Sequence, residues 1–304
     1  MSRSKVSSFA KVDPAHLLDG LFTPTAKKGE ALFDVEGTFG GLMIAFKGVQ
    51  MSVAHQSLLL AISARTSRQA KANAVLVTGN AGNLQNKQVK QLALTGKAEG
   101  LDVSIVKCTA YSLLVDAGMN VGGKSYNSMI NMLHEMSSVT MYRGVGLKGG
   151  TSRLLSFLHD GKQFIVSFNW RMADAILGRQ NVQVSLHERN YLKESPVAKI
   201  LHAWLSGHIR LGGQLMAGRG AEIDTLVRHV WGKRPCSESV LKQRRIRVKE
   251  GLAAINRLDG WVCRLNGTHA FINRPKELLN LDKCDFSPGD CAEFEKQTLE
   301  DLAI

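Results

Sequence analysis

Apolar residues recur along the chain in two rhythms, one of period near 3.6 and one of period 2. Residues 32–45 are short apolar runs broken by glycines, as in a hairpin, and Val53, Leu58, Leu59 and Ile62 then fall at helical spacing within 52–64. Residues 65–86 are polar and loop-like apart from 75–77. The alternation over 101–107 predicts a strand, and Thr109 stands where an N-cap belongs, ahead of a short helix over 111–117 that Gly118 can close. After a glycine-rich turn, Tyr126, Met129, Leu133 and Met136 share one face of a second helix, with Met132 beside them. Lys124, Ser125, Asn127, Ser128, Asn131 and His134 point the other way. Residues 139–142 and 154–158 read as two strands around a glycine-rich tip carrying Arg143 and Lys148, and 164–168 as a third. Helix, turn, helix, hairpin is the order of a winged helix.

That order returns further along. Pro196 at a first helical position opens a helix over 195–209. Ile223, Leu226, Val227 and Val230 recur at i, i+3, i+4, i+7 and predict a helix over 223–231. The turn 232–236 leads to Ser237 as N-cap of a long helix over 237–259, closed by Gly260. Asn266-Gly267 between 261–265 and 268–272 signals a two-residue hairpin, since this pair tolerates the positive φ of a type I′ turn. The expected fold is α+β, with two tandem winged-helix domains. A flexible basic arm over 1–25 precedes an N-terminal domain over 26–178, a C-terminal domain over 179–275 and an acidic tail over 276–304.

The 237–259 helix carries the strongest functional pattern. At 100° per residue, Leu241, Val248, Leu252 and Ile255 lie within about 40° of one line and form the expected buried stripe. Lys242, Gln243 and Ile246 project from the opposite face, and Arg245, Arg247 and Lys249 flank them. A helix that enters a major groove by its N-terminal half and packs by its C-terminal half needs this gradient. Arginine or lysine can pair with guanine edges, Gln243 with adenine and Ile246 with a thymine methyl. Arg264, Asn266 and His269 on the adjoining hairpin are placed to reach backbone or minor groove.

Charge sharpens this picture. The 304 residues carry a formal net charge of +13, yet residues 276–304 hold eight carboxylates and three lysines, so the rest is more basic still. A body so charged repels itself unless it meets a polyanion, of which nucleic acid is the common one. No stretch approaches the roughly 18 apolar residues of a membrane span, and the basic N-terminus has no apolar segment of a secretory signal. A cytoplasmic protein is expected. Five cysteines without a C-x-x-C pair fit reduced thiols rather than a zinc site.

An enzyme is not expected, and neither a metal nor a cofactor. The nine histidines form no H-E-x-x-H, and no G-x-S-x-G occurs. One competing motif stands at 118–125, where GMNVGGKS matches the phosphate-cradling G-x-x-x-x-G-K-[ST]. With 113–115 as a strand before it and an acid at the end of 154–160 for magnesium, the chain would be an NTPase using Lys124. That pattern requires a buried parallel strand leading into it and further βαβ units behind it, whereas hairpins follow.

Several stretches in fixed order also resemble a known family. Asp13-Pro14-Ala15-His16 with Gly20-Leu21-Phe22, then 168–178, 200–207, Ile223-Asp224-Thr225-Leu226 with Val230-Trp231, 242–250 closing with Gly260-Trp261, and Arg274-Pro275-Lys276 resemble the replication initiator protein C of IncQ-type plasmids. The resemblance spans about 12–276 and is clearest after 150. It implies a bacterial plasmid initiator with two winged helices that binds iterons of a vegetative origin as double-stranded DNA and helps open the adjacent AT-rich DNA. A plasmid helicase and primase, as separate proteins, would be its partners. The DNA-reading residues it implies are Ser239, Lys242, Gln243, Arg244, Arg245, Arg247 and Lys249, with Ile246 where a polar residue is expected. The N-terminal domain is left with two uses, DNA contact or self-association. A transcriptional repressor on the same fold is the alternative.

Overall fold

The computed structural model describes residues 9–27, 29–71, 76–77, 103–145, 148–161, 163–176 and 181–277. Nearly all of the acidic tail lies outside the described residues. Eight α-helices are described: α1 (Val53–Lys71), α2 (Ala110–Asp116), α3 (Gly123–Ser138), α4 (Trp170–Ile176), α5 (Leu186–Tyr191), α6 (Pro196–His208), α7 (Ile223–Trp231) and α8 (Glu238–Ile255). Helices and mainly antiparallel sheets mix in an α+β architecture with two apolar cores.

The first core is built around α1, whose Leu58, Leu59, Leu60 and Ile62 are all buried. One four-stranded antiparallel sheet runs in the order Val35–Phe39, Leu42–Lys47, Thr140–Val145, Lys148–Arg153. A second runs Leu155–His159, Gln163–Phe168, Val103–Thr109, Leu76–Val77. The expected 32–45 hairpin is present, turning at Gly40 and Gly41, both at positive φ. The helix expected to end near 64 runs on to Lys71. Thr66 and Ser67 are buried there, and their hydroxyls donate to the carbonyls of Ile62 and Ser63 at 2.8 and 3.0 Å. Polar side chains satisfied by their own helix can continue a buried face that hydropathy alone ends early.

Two expectations for this half are corrected. The glycine-rich tip between 142 and 154 is itself a strand, Lys148–Arg153, paired with Thr140–Val145, and Leu155–His159 pairs instead with Gln163–Phe168. Buried Leu154 is the crossing point, its N–H donating to the Val139 carbonyl. Glycine is required on that strand because a Cβ at Gly149 would stand 2.7 Å from the Arg143 carbonyl oxygen, as well as against the Tyr142 ring. The stretch expected as a flexible arm is folded from Phe9 on. Phe9–Val12 pairs antiparallel with Val182–Ser185, burying Ala10 and Val12, and Asp13 caps the turn Pro14–Leu17 and ion-pairs with Arg171 at 2.9 Å. Its partner strand lies about 170 residues away, and local periodicity holds no trace of such a pairing.

The second core joins α6, α7, α8 and a three-stranded sheet of Ala221–Glu222, His269–Asn273 and Val262–Asn266 in that order. Ser195 caps α6 by accepting from the Ala198 N–H, with Pro196 in the first turn, and α7 has its expected bounds. The final hairpin is shifted by one residue. Asn266 pairs with His269, so Gly267 and Thr268 form the loop, and positive φ occurs only at Gly267, which is the requirement of a type II′ turn.

The two cores are stitched together by buried polar groups. Arg189, 2% exposed, donates to the carbonyl of Lys199 and, at 3.1 Å, to the hydroxyl of Ser57 on α1. Arg274 donates to the carbonyls of Ser206, Ile209 and Gln183. The turn after α7 is tied to the first half by Lys233–Asp34 at 2.9 Å, by Arg234 with Glu30, and by the Gly20 N–H donating to the His229 carbonyl.

Candidate nucleic-acid interface

The turn from α7 to α8 is made possible by Gly232 at φ +74°, which ends α7. Ser237 precedes α8 in extended backbone, but its hydroxyl meets the Ser239 hydroxyl at 3.0 Å instead of capping a helix N–H. Val248, Gly251, Leu252 and Ile255 form the buried side of α8, with Leu241 partly buried at its edge. Gly251 lets α6 approach, a Cβ there standing 3.2 Å from the Ala198 nitrogen. The helix stops at Ile255, four residues before the expected end. Asn256 turns back as its C-cap, and its side-chain oxygen accepts from the Cys263 N–H at 2.7 Å, tethering the hairpin to the helix.

The opposite face of α8 is open. Ser239, Lys242, Gln243, Arg247 and Lys249 are exposed, and Ile246 is 48% exposed between them. Arg244 is half-buried with its guanidinium 5.3 Å from the Trp231 ring centroid. Arg245 is different. It ion-pairs with Asp224 of α7 and with Glu238, and these hydrogen bonds push its guanidinium pKa upward and hold the Asp224 carboxyl below its usual range. On the hairpin, Arg264 and Asn266 are exposed and His269 is half-buried.

A hollow of about 630 Å³ runs along the first turns of α8. Its α8 wall is Ser239, Val240, Gln243, Arg244 and Arg247, and Trp231 and Arg234 also line it. The facing wall comes from the first half, with Thr23, Thr25, Lys27, Glu30 and Gln50. Those first-half residues had no helical or strand period to single them out. They reach α8 only because the folded N-terminal stretch packs on α7.

In the first half, Thr109 and Ser112 form a reciprocal capping box on α2, and α3 follows with Met129, Met132, Leu133 and Met136 buried. Lys124, Asn127, Ser128, Asn131 and His134 lie on its exposed face, with Ser125 half-buried. Arg143 stacks 4.6 Å over the Trp170 ring, and the Lys148 side chain lies outside the described residues. The segment before Gly118 is helix α2 and not the strand that a phosphate-binding loop requires, which removes the context for an NTPase motif. Asp160, the expected magnesium partner, accepts the Gln163 N–H at 2.8 Å.

No described helix is long and apolar enough to cross a membrane. The family described as Replication protein C (RepC) matches residues 5–276. No curated protein matches the chain. Among solved structures, the chain is similar to a selenomethionine crystal structure of domains 2 and 3 of RctB, at 9% identity and TM-score 0.48, covering 88% of this chain and 100% of that one. A second structure of RctB domains 2–3 is similar at 9% identity and TM-score 0.43, covering 83% and 92%.

Proposed function

The chain belongs to the Replication protein C (RepC) family, and on that premise we propose that it is a plasmid replication initiator that binds iteron repeats of its vegetative origin as double-stranded DNA. The observation that carries the reading is the two-sided α8. One side is closed on α6 and α7 by Val248, Leu252 and Ile255, and the other offers Lys242, Gln243, Ile246, Arg247 and Lys249 to solvent. We read α7, α8 and the following hairpin as a winged helix, with α8 in a major groove and Arg264 and Asn266 on the adjacent backbone or minor groove. The α2–α3 unit and its hairpins are read as a second such module, whose Lys124, Asn127 and Asn131 grip a further part of the repeat. In this reading the protein is a binder and not an enzyme, working in the cytoplasm of a plasmid-bearing bacterium. Several bound copies share the energy of bending and opening the AT-rich DNA, and a plasmid helicase and primase act next.

The test is a titration against direct repeats from the resident plasmid's origin, with scrambled competitor, at two salt concentrations. Tight, sequence-dependent binding with a steep salt slope is the expected result. Salt-sensitive binding without sequence preference would reduce α8 to a generic basic face. A permanganate footprint on supercoiled origin DNA then separates an initiator, which opens the DNA, from a repressor, which does not.

A further inference from the structure

At the end of α8 away from its cationic half, a hollow of about 460 Å³ opens between α5, the turn to α6, and the last turn of α8 with the residues that follow it. Seven residues separate Arg247 from Ala254 on its wall, about 10 Å along the helix axis. In a chain of net charge +13, this hollow is lined by three carboxylates, Glu188, Glu194 and Asp259, against one arginine, Arg257. Glu194 and Asp259 are exposed at its mouth, and Glu188 is 1% exposed. Oε2 of Glu188 is held by the His202 Nε2 at 2.5 Å and the Trp261 indole N–H at 3.2 Å, while its Oε1 has no hydrogen-bond partner among the described residues. Tyr191, 70% exposed, stands edge-on to His187 at 4.8 Å on the same wall.

A buried carboxylate oxygen without a donor is costly, and the ligand that relieves it brings an N–H donor and positive charge. Carboxylates at the mouth repel phosphates, so nucleic acid is a poor occupant. Rings at the rim cover an aliphatic stem well. We propose that this hollow is a docking site for a protein partner that inserts an arginine or lysine side chain toward Glu188 Oε1, its stem lying along Tyr191 and His187. A partner seated there leaves the open face of α8 free, so DNA and the partner can be held together.

The experiment uses the full chain labelled with ¹⁵N, titrated with acetyl-Gly-Arg-Gly-amide and with the matching glutamine peptide. Because Trp261 shares Glu188 with the hollow, its indole N–H resonance, assigned with Trp261→Phe, is the reporter. The arginine peptide is expected to move it saturably and the glutamine peptide to leave it in place. Glu194→Gln combined with Asp259→Asn is expected to weaken that binding about threefold with an unchanged Tm, since both side chains are exposed. No saturable shift, an equal response to the glutamine peptide, or full affinity in the double variant overturns the proposal. A shift produced by a DNA oligonucleotide in place of the peptide overturns it as well.

Discussion

Arg245 grips Asp224 with two parallel hydrogen bonds, Nε to Oδ1 at 2.7 Å and Nη2 to Oδ2 at 2.9 Å, while its third nitrogen reaches Glu238 at 2.9 Å. The pair ties α8 to α7 across the turn, and a two-pronged guanidinium contact fixes direction as well as distance. Sequence spacing put Arg245 on the flank of a reading face, whereas three of its N–H donors are already engaged by two carboxylates.

Arg245→Ala is therefore expected to act through the helix pair. It lowers the Tm and weakens DNA binding, Asp224→Ala does the same, and the double variant loses little more than either single one. Arg247→Ala keeps its Tm and loses about 1–3 kcal/mol of binding at a position it reads, or a unit of salt slope where it meets a phosphate. Thermal melts alongside DNA titrations separate the two. An Arg245→Ala protein with an unchanged Tm and a loss like that of Arg247→Ala would show that Arg245 leaves Asp224 to contact DNA.

Gly20 and Gly232 touch backbone to backbone across the two halves. Both sit at positive φ, and a Cβ at Gly20 would lie 2.5 Å from the Gly232 Cα. Gly20→Ala is expected to cost about 1–3 kcal/mol, from the left-handed backbone and the forced separation of the chains. Urea denaturation measures it. A loss below a few tenths would mean that the turn after α7 adjusts freely and that the halves are not locked there.

Local signals in the sequence carried α6, α7, the body of α8 and the final hairpin, but not α5 or the short strand Ala221–Glu222. Ile223, Leu226, Val227 and Val230 defined α7, Pro196 and Ser195 opened α6, and Val248, Leu252 and Ile255 fixed the buried side of α8. These elements bury one regular stripe each, so their period is visible. The strand Lys148–Arg153 was illegible because its glycines carry no side chain to show a period, and Gly149 leaves its space to Tyr142. The pairing of Phe9–Val12 with Val182–Ser185 and the Thr23–Glu30 wall beside α8 depend on contacts between distant segments, which no window of the sequence contains. The engagement of Arg245 was hidden for the same reason: spacing places a side chain on a face, but only the neighbouring helix shows that Asp224 waits beside it.

His16 predicts an acid-sensitive first core. It is fully buried against the Phe46 ring, both of its nitrogens lack a hydrogen-bond partner among the described residues, and burial pushes its pKa down to about 4. Between that value and 6.5 the unfolded chain takes up a proton that the folded one refuses. Stability tied to neutral His16 is complete above pH 6.5 and is lost as the pH falls toward 4, about 3 kcal/mol in all. Burial shifts His55, His202 and His229 the same way, so they add to the slope. Denaturation from pH 7 to 4.5 is expected to show a shallower acid loss in His16→Leu. The slope is the readout, since packing changes move all points together, and an unaltered slope would mean that His16 takes up its proton as readily in the folded chain as in the unfolded one.

Lys124 separates the two readings of its motif. It lies exposed in the first turn of α3, after Gly122, which gives the helix no side-chain cap. A cation at a helix N-terminus opposes the helix dipole, so Lys124 does not serve the stability of α3, and Lys124→Ala is expected to keep or slightly raise the Tm. A phosphate-binding lysine would need a strand leading into the loop, and α2 stands there instead. Saturating ATP is thus expected to leave the Tm of either protein unchanged. With origin repeats, the variant should bind more weakly at low salt and lose about one unit of slope in the plot of log affinity against log salt, as for one missing phosphate contact. An identical slope would assign the exposed face of α3 to a protein surface and leave α8 as the sole DNA reader. An ATP-dependent Tm lost in Lys124→Ala would restore the nucleotide site despite its helical approach.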